Sequence, residues 1–224
     1  MPLLDFLLPP RCGGCRSIGA WLCDRCRSSI RRLEEPLCRR CGVELPYARK
    51  DCACRARLRS LTRLRSAVAY EGPIERAVHR FKYEGWRRLA GPLALLMAER
   101  LAVEGVAAAW VIAVPLHSTR RRQRGFNQSE LLAAELRQHL ALRPPPGVLV
   151  RTRPTPPQVG NDRKRRFENV AGAFAWQGSR LEGQAILLVD DVATTGATLD
   201  ACASALRIGG SGPVTGVSIA RVNV

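Results

Sequence analysis

The sequence predicts an α/β protein, a parallel sheet with flanking helices, preceded by a small cysteine-rich module. Three observations carry that expectation. The apolar run 185–189 (AILLV) leads directly into Asp190-Asp191 and a small-residue segment, after which helical spacing resumes. A second apolar run, 110–114 (WVIAV), has the same character. Eight of the nine cysteines fall before residue 55, in four close pairs. Strands that are apolar without interruption are those covered on both faces, as in a parallel sheet between two helix layers.

A chain of 224 residues with 46% hydrophobic content has room for one full α/β domain and a small appendage. The first ten residues are apolar but lack a basic leader and a small-residue cleavage site. The longest later apolar stretch, 106–116, is short and contains a proline, so no transmembrane helix is expected. The expected location is cytoplasmic, or peripheral to the inner face of the membrane. A formal charge of +17 favours polyanionic partners such as nucleic acid or anionic headgroups. It equally describes a solvated arginine-rich surface.

The cysteine pairs are Cys12 and Cys15, Cys23 and Cys26, Cys38 and Cys41, and Cys52 and Cys54. Close pairs let two sulfurs of one turn share a tetrahedral ion, so four pairs complete two sites of four thiolates. Zinc is the expected metal. Disulfides would need an oxidising compartment, and iron–sulfur clusters are the alternative that spacing does not exclude. Sequential sites (12, 15, 23, 26 and 38, 41, 52, 54) and interleaved ones both close four sulfurs; the sequential arrangement costs less loop-closure entropy. With every position filled by sulfur the metals are structural, and residues 11–57 read as a double zinc ribbon that needs metal to fold.

Along the body, 58–65 reads as a basic linker, 66–70 as a strand, and 73–81 as a helix with proline in its first turn. Residues 86–103 continue helical, broken at Gly91-Pro92. Phe81 and Tyr83 are core candidates, or part of a hood from which Lys82 is directed at an anionic ligand. After the strand 110–114, residues 115–128 read as a loop with an arginine run. The helix beyond it spans 129–140, capped by Ser129 with Glu130 in its first turn. The stretch from 151 reads as a Pro- and Gly-containing loop. The chain closes with a helix over 199–208, a glycine turn and a strand over 214–222. Cys202 reads as a buried apolar residue. His79, His117 and His139 are scattered and receive no catalytic task.

The acids at 190 and 191 stand at a strand's carboxyl end, where α/β sheets open a crevice of free N–H groups. Thr194, Thr195 and Thr198 add hydroxyl donors, and Gly196 permits close backbone approach to a phosphate. Successive strand residues point to opposite sides, so one acid can face ribose hydroxyls or metal while the other faces its neighbours. Two bare carboxylates would repel a phosphate, which calls for Mg²⁺. A strand followed by two aspartates and a small-residue turn also occurs in response-regulator and Rossmann-like sheets.

The segment VDDVATTGAT resembles the signature of type I phosphoribosyltransferases, which bind phosphoribosyl pyrophosphate (PRPP). The resemblance implies that Asp190 and Asp191 contact the ribose hydroxyls and that Ala193, Thr194, Thr195, Gly196, Ala197 and Thr198 hold the 5-phosphate. It also implies that Arg121, Arg122 and Arg124 grip pyrophosphate. Together with the cysteine pairs, FKYEG and RRRQRGFNQSELLA, the chain resembles the ComF competence family over nearly its whole length. Arg151 to Gln158, Arg163 to Arg166, Asn169-Val170 and Phe174 resemble that family's flexible loop, with Arg163 and Arg166 its arginines.

The resemblance implies a zinc ribbon over 1–60 and a phosphoribosyltransferase-like domain over 61–224, its hood drawn from about 66–105. The expected function is Mg²⁺-dependent phosphoribosyl transfer from PRPP to an acceptor the sequence does not name, in natural competence or the use of external DNA. The rival is a noncatalytic PRPP-sensing scaffold that engages single-stranded DNA or a DNA-import motor. With 5% aromatic residues, no base-stacking platform is expected.

Overall fold

A computed structural model describes residues 9–47, 52–153 and 163–222, with the side chains of 163–166 excluded. The expectations placed on 154–162, Pro154 to Gln158 among them, lie outside the described residues.

In the cysteine-rich segment, α1 (Asp24–Ser28) and a 3-10 turn (Ala53–Ala56) carry Cys26 and Cys54. Then come β1 (Arg63–Ala69), α2 (Gly72–Tyr83), a 3-10 turn (Arg87–Leu89) and α3 (Ala90–Val103). They lead into β2 (Trp110–Ala113), α4 (Ser118–Arg124), α5 (Gln128–His139), β3 (Gly147–Arg151) and α6 (Arg163–Val170). The chain ends with β4 (Phe174–Gly178), β5 (Ile186–Ala193), α7 (Ala197–Ile208) and β6 (Val214–Arg221). Four strands form a parallel sheet in the order β1-β6-β5-β2, and β3 and β4 form a separate antiparallel pair.

The alternation of a strand explains the two cores. On β5, Leu187 and Val189 face one apolar cluster with Ile74, Val78 and Phe81 of α2, Leu93 and Met97 of α3, and Leu132 and Leu136 of α5. Ile186 and Leu188 face the other, with Leu199, Cys202 and Leu206 of α7 and Leu149 and Phe174 of the β3/β4 pair. Cys202 is fully buried there, as expected, and burial pushes its thiol well up.

Several expected boundaries shift. Gly91-Pro92 does not break the helix, because it falls in the first turn of α3, where a missing N–H costs nothing. The arginine run is not loop but α4, which buries none of its own residues. Ser129 does not cap α5: Asn127 does, its side chain accepting from the Ser129 N–H at 3.1 Å. Within the expected flexible loop, residues 163–170 are helical and Phe174 opens β4.

The cysteine-rich segment is knitted to the sheet. Ala69 N–H donates to the Arg31 carbonyl at 3.0 Å and Leu64 N–H to that of Arg40 at 2.6 Å, so this segment covers the edge strand β1. Asp200 on α7 accepts from the N–H groups of Ser60 and Leu61 at 2.9 and 3.0 Å, fixing the connector between ribbon and sheet. Replacing Asp200 with Ala orphans two N–H groups and is expected to cost about 1–3 kcal/mol in urea denaturation; an unchanged midpoint would show the connector is held by other contacts.

Candidate ligand site and metal centres

The sulfurs of Cys12, Cys15, Cys23 and Cys26 lie within 4.8 Å of one another, as do those of Cys38, Cys41, Cys52 and Cys54. The pairing is therefore sequential. Separations of 3.6 Å (Cys15 to Cys23), 3.6 Å (Cys38 to Cys54) and 3.4 Å (Cys41 to Cys52) are far longer than a disulfide. They approach the edge of about 3.8 Å of a tetrahedron with Zn–S bonds of about 2.3 Å. Hydrogen bonding with Ser17 lowers the Cys15 thiol to about 5, whereas burial and the neighbouring sulfurs push Cys26 up. Each cluster fits one zinc ion.

The second site sits against the end of the sheet. Arg221, the last residue of β6, is buried and donates to the Cys41 carbonyl at 2.6 Å. Cys41, Cys52 and Cys54 share a cavity with Thr194, Thr195 and Arg221.

β5 continues past its last pairing with β2, at Val189, so the acids occupy a half-open stretch still held by β6. Asp190 turns toward α5 and accepts from the Ser129 hydroxyl at 3.1 Å and from the Asp191 N–H at 2.9 Å. Asp191 pairs with Lys82 of α2 at 2.8 Å, both side chains largely buried. The two carboxylates thus diverge and meet different helices.

Burial, and then the Asp191 charge, push Asp190 up to about 7, against the pull of the Asp191 N–H, Lys82 and Ser129. Lys82 is raised: the Asp191 charge and hydrogen bond outweigh burial, which alone would lower it. A carboxyl whose folded value lies above its unfolded value destabilises the fold as pH climbs from the unfolded toward the folded value. Asp190→Asn is therefore expected to be more stable than wild type at pH 8, by about a few kcal/mol and with a higher melting temperature, the gap closing near pH 4. Melting curves that run parallel across this range would contradict it.

Beyond the acids, Thr194 to Gly196 form a tight turn into α7. Gly196 has φ +81°, a left-handed conformation suited to glycine, and an added Cβ would lie 3.1 Å from the side chains of both Leu58 and Leu64. Gly196 at the N-cap of α7 has no side chain to offer, the Thr195 hydroxyl accepts from the Ala197 N–H at 3.4 Å, and this turn lines a small pocket with Asp190, Ala193 and Thr194 to Thr198. That pocket offers hydroxyls, N–H groups and one carboxylate, a donor set for a phosphate with a hard cation.

Of the expected ligand contacts, Asp190, Ala193, Thr194, Thr195, Gly196, Ala197 and Thr198 line one pocket, while Asp191 pairs with Lys82 beside it. Arg124 stands next to them: it donates to Gln128 at 3.0 Å and stacks on Tyr83, while Gln128 reaches the Lys82 carbonyl at 3.5 Å. Arg121 points instead to Glu130 at 2.8 Å on the surface, and Arg122 is exposed. The side chains of Arg163 and Arg166 lie outside the described residues. Sequence reading missed Ser129 as the partner of Asp190, and Leu58 and Leu64 as the floor beneath Gly196. Only the pattern of a polar residue beside a cap pointed to the former.

A cysteine-rich ribbon docked on a parallel α/β sheet, with paired acids and a threonine- and glycine-built turn into a helix at one sheet end, defines the class. The model of the double zinc ribbon domain matches residues 3–58. DNA utilization protein YhgH of Escherichia coli K12 is 30% identical over 217 residues, 92% of this chain and 95% of the relative. Competence protein F of Haemophilus influenzae is 33% identical over 195 residues, covering 83% and 84%. Competence protein ComFC of Bacillus subtilis is 28% identical over 194 residues, covering 83% and 77%. The chain belongs to this ComF family. No helix among the described residues is long and apolar enough to cross a membrane.

Proposed function

We propose that the protein binds PRPP with Mg²⁺ at the end of β5 and transfers its phosphoribosyl group, in a process serving DNA uptake or the use of external DNA. The observation that carries this reading is the small pocket in which Asp190 meets the threonine- and glycine-built turn into α7, with Asp191 next along β5 and paired to Lys82. The turn's N–H and hydroxyl groups take the 5-phosphate; the acids take ribose hydroxyls and the cation. Bound Mg²⁺ supplies charge neutralisation between carboxylates and diphosphate. Lys82 holds Asp191 in place, Ser129 holds Asp190, and among the arginines whose side chains are described Arg124 is the one placed to reach toward pyrophosphate. In the reaction the bond from C1 to the pyrophosphate oxygen breaks, pyrophosphate leaves with the electron pair, and the acceptor's lone pair forms the new bond to C1. Residues 61–224 serve as the transferase-like domain, with α2 and the segment to α3 as its hood. The names of the relatives support the DNA-related role.

Release of pyrophosphate from PRPP in the presence of candidate bases or amines tests the chemistry. Release by wild type that is abolished in Asp191→Asn, in a variant whose melting curve shows it folded, is expected. Saturable PRPP binding with no pyrophosphate release across bases and amines would replace the enzyme by a PRPP-sensing scaffold.

A further inference from the structure

A second constellation lies away from the acids. Trp21 of the ribbon and Trp86, beyond the end of α2, meet edge to face, with centroids 6.3 Å apart and planes at 80°. With Pro9, Arg11, Gly85, Arg87 and Arg88 they line an open groove of about 510 Å³. The 5% aromatic content pointed to no aromatic cluster of this kind; the fold brings two indoles distant in sequence into contact.

Both rings are partly exposed, and neither indole N–H has an acceptor among the described residues. Trp86 is held from behind: the Arg80 guanidinium lies 5.6 Å from its centroid and is itself anchored on the Gly13 carbonyl. Arg87 is fixed against the Phe126 ring at 4.8 Å. Arg11 and Arg88 are exposed, and their side chains make no hydrogen bond or ion pair with the described residues. No carboxylate lines the groove among those residues.

We propose that this groove is a contact site for single-stranded nucleic acid, in which a base stacks in the indole corner and flanking phosphates meet Arg11 and Arg88. The inference rests on the DNA-related part of the functional reading and is independent of PRPP. Flat apolar faces beside unpaired guanidinium groups complement a ligand that alternates planar rings with anions. A duplex offers the anions but hides the ring faces, and a lipid surface offers no ring to stack.

The test is quenching of tryptophan emission by a dodecamer of deoxythymidine, with thymidine monophosphate, an oligouridine dodecamer, a duplex and an abasic dodecamer as comparisons. Both single strands are expected to quench and to bind more tightly than duplex, abasic chain and mononucleotide. A double variant Trp21→Leu/Trp86→Leu is expected to weaken the dodecamer by about 5- to 100-fold for each stacked base it gives up, read by anisotropy of a labelled strand. Arg11→Glu/Arg88→Glu, on the surface and away from the core, is expected to lower the log–log salt slope by about 1.4. Dodecamer binding that both variants leave intact overturns the site; a wild type that binds no single strand overturns direct nucleic-acid contact by this chain while leaving the role inferred from its relatives untouched. Mononucleotide binding as tight as the strand, or quenching that appears only after deletion of residues 2–8, would assign the groove another occupant and overturn the proposal.

Discussion

Stripping zinc with a strong chelator is expected to unfold the ribbon and to destabilise the sheet with it. A structural zinc contributes about 10–16 kcal/mol of apparent binding free energy, which here is folding free energy. The segment has little apolar content of its own beyond what it lends to the body. Cys38, Cys41 and Cys54 belong to the same apolar cluster as Ile112, Leu188 and Leu199, so collapse of the second site opens the core on the α7 side of the sheet. It also frees Arg221 from the Cys41 carbonyl and removes the wall facing Thr194 and Thr195. Metal analysis should return two zinc ions per chain. After chelation the melting transition should broaden and fall, and binding to the α7 turn should weaken in parallel. Iron in place of zinc, or a chelated protein with an unaltered melting curve, would contradict the assignment.

The second large effect belongs to the paired acids. In the double variant Asp190→Asn/Asp191→Asn the cation loses both carboxylates, and PRPP affinity in the presence of Mg²⁺ should fall by about 10- to 100-fold for each charged interaction removed. The dependence on Mg²⁺ should vanish as well, because the repulsion that the cation offsets is gone. Calorimetry with and without Mg²⁺ separates these outcomes: an unchanged affinity would place the ligand elsewhere, and a retained Mg²⁺ requirement would place the cation on other groups. The variants keep shape and size, but while Asp190→Asn relieves a buried charge, Asp191→Asn strips Lys82 of its buried partner at a cost of about 3–5 kcal/mol, so a melting curve of the double variant separates lost folding from weakened binding.

The parts of the molecule legible in the sequence are those that signal through local pattern. The continuous apolar run of β5 and its acidic end, the glycine of the turn into α7 and the spacing of the cysteines each express one physical requirement over a few residues. Sequential pairing of the cysteines obeys the same logic, since short loops close most cheaply. α4 is hidden in the sequence because its arginines bury nothing and leave no apolar period to read. α6 is similarly charged. The β3/β4 pair is short, and its strands are far enough apart in the chain that no turn signature joins them. Within the site, Lys82 and Ser129 reach the acids from helices that sequence distance hides; only packing of α2 and α5 on one face of the sheet brings them there. Trp21 and Trp86 meet for a related reason, through docking of the ribbon beside the end of α2.

One recognition event underlies the proposed function, an activated pentose phosphate held by the end of β5 together with a divalent cation. Titration of PRPP into the zinc-loaded wild-type protein by calorimetry measures it directly. Saturable binding with one ligand per chain in Mg²⁺, abolished when the Mg²⁺ is withdrawn, is the predicted result. No detectable heat or affinity at millimolar PRPP with Mg²⁺ present would contradict it and leave a zinc-stapled α/β scaffold.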